Sequence, residues 1–231
     1  GRAPVHMVMT ERGCPFQCLN CTKFIHGDRY RTRSIASVIA EIEYLRNCFN
    51  SRDIHIFDDN FTLHPERVKE LCRQIIARGL HRLLRFGLPN GIRADIADTE
   101  MFSLMQQAGF YFINVAIESG DQGVLDQLGK KLDLGQVHQT VTTLVNMGFR
   151  VGILFMMGLP FDTPESLAKT ARLAASLPAH HAYLSLVTPF PGTRLYDLAL
   201  AQGPVARYDE TAGLNYDREG PRFYSTTMPD A

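Results

Sequence analysis

Apolar runs of strand length alternate along the chain with segments of helical period. The runs fall at residues 5–10, 54–58, 83–88, 111–117, 151–158 and 182–187. All but the second are nearly continuously apolar or aromatic, the pattern of parallel strands buried on both faces. Between them, Ser34 is placed to cap a helix with Ile35, Val38, Ile39, Ile42 and Leu45 on one face. Pro65 suits a first helical turn, and Val68, Leu71, Cys72, Ile75 and Ile76 form the stripe that follows. Further helices are predicted over 99–108, ended by Gly109, and over 135–147, ended by Gly148. Asp162, Thr163 and Pro164 announce another, with Glu165 placed for a capping box on Asp162. Six strands in strict alternation with helices imply parallel pairing through right-handed crossovers. An open doubly wound sheet and a barrel-like sheet both satisfy that order. After Gly203 the pattern fades into Tyr, Asp, Gly and Arg, which reads as a core over 1–203 followed by an extension over 204–231.

Composition narrows the class. Of the 231 residues 45% are hydrophobic and 21% charged, which excludes a disordered or fibrous chain. Lys+Arg and Asp+Glu are both 24, and that balance argues against bulk binding of nucleic acid or an anionic membrane. No apolar run approaches the roughly 20 residues that span a bilayer. The chain opens on Gly1-Arg2-Ala3-Pro4 without a signal pattern and closes in a polar stretch, so a fragment of a longer protein is expected.

Five cysteines, an odd number in a chain too large to need disulfide staples, point to a reducing, cytoplasmic setting and a metal site. Cys48 and Cys72 fall on helical patterns and read as small buried hydrophobes. The other three form Cys14-Pro-Phe-Gln-Cys18-Leu-Asn-Cys21, just past the C-terminal end of the first strand, where α/β folds place ligands. Three thiolates on a short loop can grip three irons of a cubane and leave the fourth open. A fully ligated cluster needs four cysteines. The rival is a closed zinc site completed by His26. A metal-stabilised binding module without turnover is the reading from another class.

The run Thr10-Glu11-Arg12-Gly13-Cys14-Pro15-Phe16-Gln17-Cys18, followed by Cys21, resembles the cluster loop of radical S-adenosylmethionine (SAM) enzymes. With Arg33-Ser34 and the Val38, Glu41, Ile42 helix it resembles the branch that carries an N-terminal cobalamin-binding domain. Further runs in order extend the resemblance over about residues 4–203: Phe57-Asp58-Asp59-Asn60-Phe61-Thr62, Arg93, Ile117-Glu118-Ser119-Gly120, Gly158-Leu159-Pro160 with Thr163 and Glu165, and Pro189 to Tyr196.

The resemblance implies a partial (β/α)6 barrel of parallel strands, open on one side. It implies a 4Fe–4S cluster on Cys14, Cys18 and Cys21. It also implies SAM contacts from Asp58, Asp59 and Asn60 toward the amino group, Arg93 toward the carboxylate, Glu118 and Ser119 toward ribose or methionine, and Gly158 and Pro160 on the adenine side. Reductive cleavage of SAM to a 5′-deoxyadenosyl radical would then abstract hydrogen from substrate. Methyl transfer with cobalamin held by a further domain is the leading reaction. Cobalamin-independent rearrangement, cyclisation or thiol insertion is the alternative. The implied partners are a small-molecule or peptide substrate and an electron donor such as flavodoxin or ferredoxin. Lys23, Arg29, Arg31 and Arg33 can attract an acidic substrate or remain solvated. One departure stands out: the residue before the third cysteine, usually aromatic in this family, is Asn20, and Phe24 or the loop backbone is expected to cover the adenine instead.

Overall fold

The computed structural model describes residues 3–202 other than residue 24. Six strands form one parallel sheet: β1 (Val5–Val8), β4 (Asp53–Ile56), β5 (Arg85–Ile92), β6 (Phe110–Glu118), β7 (Arg150–Met157) and β8 (His181–Leu186). They neighbour one another in chain order, so each β-α-β step adds the next strand to the same growing edge. β1 and β8 stay unpaired with each other, which leaves the barrel partial and open on one side. β2 (Glu11–Arg12) and β3 (Arg31–Thr32) form a separate antiparallel pair that clasps the ends of the cysteine loop.

The helices are α1 (Ile35–Phe49), α2 (Pro65–Ala77), α3 (Thr99–Gln107), α4 (Gln122–Leu128), α5 (Leu134–Asn146), α6 (Pro164–Ser176) and α7 (Arg194–Gln202), with a 3₁₀ turn over Leu80–Arg82. Their apolar stripes explain the layering. Val38, Ile39 and Ile42 of α1, Leu71 and Ile75 of α2, Met101 and Met105 of α3, and Val137, Val141 and Leu144 of α5 join the strand residues in one core. Along β6 the period of two divides the work: Ile113, Val115 and Ile117 are fully buried in that core, while Ala116 and Glu118 turn toward a cavity. Cys72 lies in the core as expected, and burial pushes its thiol up to about 12.

Several expectations change. The first and last strands are not buried on both faces: Val5 and Met7 on β1, and Tyr183, Leu184 and Leu186 on β8, are exposed. Each of these strands has a single neighbour because the sheet does not close. Cys48 is exposed. It stands six residues beyond Ile42, about 240° around the helix from the buried stripe. The α6 cap is Thr163, whose side chain accepts from Ser166 N while Ser166 Oγ accepts from Thr163 N. Asp162 instead accepts from the amides of Gly158 and Leu159, and Glu165 pairs with Lys169 on the surface. The pair β2–β3 and the short helix α4 carried no periodic signal. The 204–231 extension lies outside the described residues.

Candidate functional site

The cysteine loop leaves β1 and is fixed at both ends. At its start, Asp58 is buried and accepts from Thr10 N at 2.6 Å, Glu11 N at 3.2 Å and Thr10 Oγ1. Asp59, next in sequence, accepts from Gly13 N at 2.6 Å. Gly13 has φ +84 and packs against the Arg29 carbonyl so tightly that a Cβ would overlap it. At the far end, Leu19 N donates to Leu128 O at 2.9 Å and Leu195 N donates to Leu19 O at 3.0 Å. Leu19 also packs with Val124, Leu128, Leu159, Val187 and Leu195 in a second apolar cluster. Residues more than a hundred positions away therefore hold the loop over the C-terminal ends of the strands.

A cavity of about 420 Å³ opens there. It brings together Cys14, Cys18 and Cys21 with Asp59, Asn60, Arg93 and Glu118. Asp58, Ser119, Gly158 and Pro160 do not line it. Asp58 braces the loop from below. Ser119 is buried against Thr170 and accepts from Asp121 N. Gly158, at φ +84, donates its N–H to Asp162. Phe24 lies outside the described residues. Asn20 faces the cavity and donates to Met156 Sδ at 3.5 Å.

Arg93 is 6% exposed and saturated with partners. Nε and Nη2 grip Asp95 at 2.9 and 2.7 Å, Nη2 also reaches Lys130 O at 2.8 Å, and the guanidinium stacks 3.8 Å over the Phe16 ring. It thus couples the end of β5 to the middle of the cysteine loop. Glu118 ends β6 at φ +80, a left-handed conformation that a non-glycine residue adopts at a cost of about 1–3 kcal/mol. A register shift between Ala116 and Glu118 accompanies it. The outcome is a carboxylate turned into the cavity and paired with Lys130 at 2.9 Å. Both Asn60 side-chain polar atoms are buried without a hydrogen-bond partner at the cavity wall. Such an amide is costly unless a ligand or water completes it.

The donor chemistry suits a cationic cluster. Burial holds the Cys14 and Cys21 thiols above their ordinary values; for Cys14 the Phe16 backbone N–H pulls the other way, and for Cys21 repulsion from Cys18 and Cys14 adds to burial. Iron would supply the positive charge that three thiolates in one cavity need. Among the described residues no three His, Cys, Asp or Glu side chains are gathered in the arrangement of a single metal-ion site. His26 points to Asp59, at 3.0 Å, rather than to the cysteines.

A family model described as the radical SAM superfamily matches residues 8–174. The chain belongs to this superfamily. As a radical SAM enzyme it has a 4Fe–4S cluster and SAM as its cofactors. Among relatives, an uncharacterized methyltransferase from Pyrococcus horikoshii is 30% identical over 199 residues, 86% of this chain and 42% of that protein. Cytidylyl-2-hydroxyethylphosphonate methyltransferase from Streptomyces wedmorensis is 34% identical over 220 residues, 92% of this chain and 40% of that protein. The chain thus spans less than half the length of either. Among solved structures, the radical SAM methyltransferase TsrM from Kitasatospora setae, with cobalamin and a 4Fe–4S cluster bound, has a TM-score of 0.79 at 21% identity, covering 96% of this chain and 46% of that one. That likeness shows the same fold. No described helix of this radical SAM chain is long and apolar enough to cross a membrane.

Sequence reasoning missed the parts played by Lys130, Phe16 and Glu11, the second carboxyl beneath the loop beside Asp58. Glu11 is buried, its Oε2 accepts from Tyr30 Oη, and its Oε1 has no partner. Burial pushes Glu11 up to about 8 and Asp58 up to about 6. Both acids bind protons more readily folded than unfolded, so their contribution is full below the unfolded values and fades as pH rises through 6 to 8. Urea midpoints of the wild-type protein should therefore fall between pH 5 and about pH 8.5. In Glu11→Gln that fall should be smaller, leaving mainly the Asp58 component near pH 6. An unchanged pH profile in the variant would remove Glu11 from the account.

Proposed function

We propose that this chain is the radical-generating core of a cobalamin-dependent methyltransferase, with cobalamin held by a further domain. What carries the reading is the cavity at the strand ends, where three cysteines face two carboxylates, an orphaned amide and a buried arginine. In this reading Cys14, Cys18 and Cys21 hold three irons and leave the fourth free. When bound, the cluster and SAM supply one-electron cleavage of the sulfonium and a radical that takes hydrogen from an unreactive C–H bond.

The protein's own residues bind and orient. Asn60 and Asp59 accept from the SAM ammonium, Asp59 while still holding the loop through Gly13. Lys130 and Arg93 give the SAM carboxylate a cationic wall. Glu118 accepts from the ribose hydroxyls, its strained backbone aiming it away from the core. Gly158 and Pro160 stay assigned to the adenine side, where glycine permits close approach. Asp58 and Ser119 act from behind the cavity wall, Asp58 through the loop amides and Ser119 through the turn after β6.

Methyl transfer is favoured because both relatives described above are named methyltransferases. Cyclisation is the second reading. An anaerobic magnesium-protoporphyrin IX monomethyl ester cyclase from Cereibacter sphaeroides is 28% identical over 199 residues. The test is anaerobic reconstitution with iron and sulfide, then SAM and reductant, following 5′-deoxyadenosine and methylated product with and without methylcobalamin. SAM cleavage without methylation by this chain alone is expected. Absence of SAM cleavage by a cluster-loaded protein would overturn the reading.

A further inference from the structure

The net charge of zero is unevenly spread. Between Arg12 and Arg31 there are four basic residues, Arg12, Lys23, Arg29 and Arg31, against one acid, Asp28. Arg12 and Arg31 stand directly opposite each other in the β2–β3 pair. Like charges facing across an antiparallel pair weaken it, so this placement costs the pair stability. Both are exposed, as is Arg29.

The same turn lies against the cysteines. The Arg29 carbonyl packs on Gly13, one residue from Cys14, and Arg31 Nη2 donates at 2.7 Å to the carbonyl of His26, which lines the cavity. Beside them Ile25 is 65% exposed. A cationic surface beside an exposed apolar side chain complements an acidic partner surface. Arg33, by contrast, is spent on Glu41, Met9 O and Ser37.

We propose that Arg12, Arg29 and Arg31 form the docking patch for a small acidic electron carrier of the flavodoxin kind, seated over the cysteine loop. The proposal rests on the cluster reading above. In the step it serves, an anionic flavin hydroquinone loses one electron and becomes the neutral semiquinone. That electron would pass to a cluster held by Cys14, Cys18 and Cys21, with no proton moved. Steering by opposite charge raises the encounter rate and makes it sensitive to salt.

The experiment mixes cluster-loaded protein anaerobically with flavodoxin reduced to its hydroquinone and follows semiquinone formation by stopped flow. In R12E/R29E the second-order rate should fall at least about tenfold at low ionic strength, and the gap should close toward about 0.5 M salt. R12K/R29K should keep most of the rate. Iron content and reduction by dithionite should match wild type, because both side chains are exposed and it is the Arg29 backbone carbonyl that packs on the loop at Gly13. A wild-type flavodoxin rate in R12E/R29E would overturn the proposal. So would an equal loss with dithionite, which would mean that the arginines build the loop. Failure of the wild-type chain to take up iron and sulfide is a separate result that sinks the cluster reading. The patch is then decided by fluorescence anisotropy of flavodoxin on the cluster-free chain: salt-sensitive binding lost in R12E/R29E supports it, and unchanged binding overturns it.

Discussion

Replacing Cys14, Cys18 and Cys21 together by Ala is expected to abolish iron and sulfide uptake and, with it, all reductive cleavage of SAM. The three thiols are the cysteines that line the cavity; of the other two, Cys72 is in the core and Cys48 is exposed on α1. Cys14 and Cys18 are only half-buried and Cys21 is exposed, so the fold itself should tolerate the substitutions. Far-ultraviolet circular dichroism and the urea midpoint should stay near wild type while iron analysis falls to background. Retained iron in the triple variant would place the cluster elsewhere and leave the cavity without its assigned chemistry.

Arg93→Ala should be the most damaging single change away from the cysteines. It strips Asp95 of its bidentate partner, leaves Lys130 O without the guanidinium, and exposes the Phe16 ring. The expected cost is about 3 kcal/mol, the low end for removing one member of a buried pair, since Asp95 keeps some contact with water. Phe16 lies between Cys14 and Cys18, so iron retention after gel filtration should fall as well. Arg93→Lys keeps the charge but not the planar fork, and should recover only a minor part of both losses. Denaturation midpoints and iron per chain measure the two effects. Loss of neither would show that the β5 end and the loop are held together by other contacts.

Much of this architecture could be read from residue pattern, because parallel strands under helices on one face give long apolar runs and clear helical stripes. The cysteine loop was legible through its spacing. What failed was orientation at strand ends. Asp58 and Asp59 are adjacent in sequence and equal in chemistry, yet in the loop after β4 one braces Thr10 and the other meets the cavity. Ser119 lies just past β6, after the left-handed Glu118, and turns inward to Thr170. The pairing of Glu118 with Lys130 depends on α4 folding back over the strand end, and that short helix has no period to announce it. The exposure of β1 and β8 followed from an open barrel, which the runs themselves could not distinguish from a doubly wound sheet.

The anchoring of Leu19 has a consequence for assembly. The loop is synthesised before its tethers: Leu128 and Leu195 leave the ribosome more than a hundred residues after Leu19. The sheet can grow one strand at a time, each new strand docking on the last, with the cysteines still loosely held. A scaffold protein that delivers preformed cluster would find them most accessible in that interval. A chain stopped after α5 would keep every cysteine and most of the core, but lack the Leu195 clasp and release metal readily. Cofactor retention should therefore depend on the segment that carries Leu195, since its amide ties down the loop at Leu19.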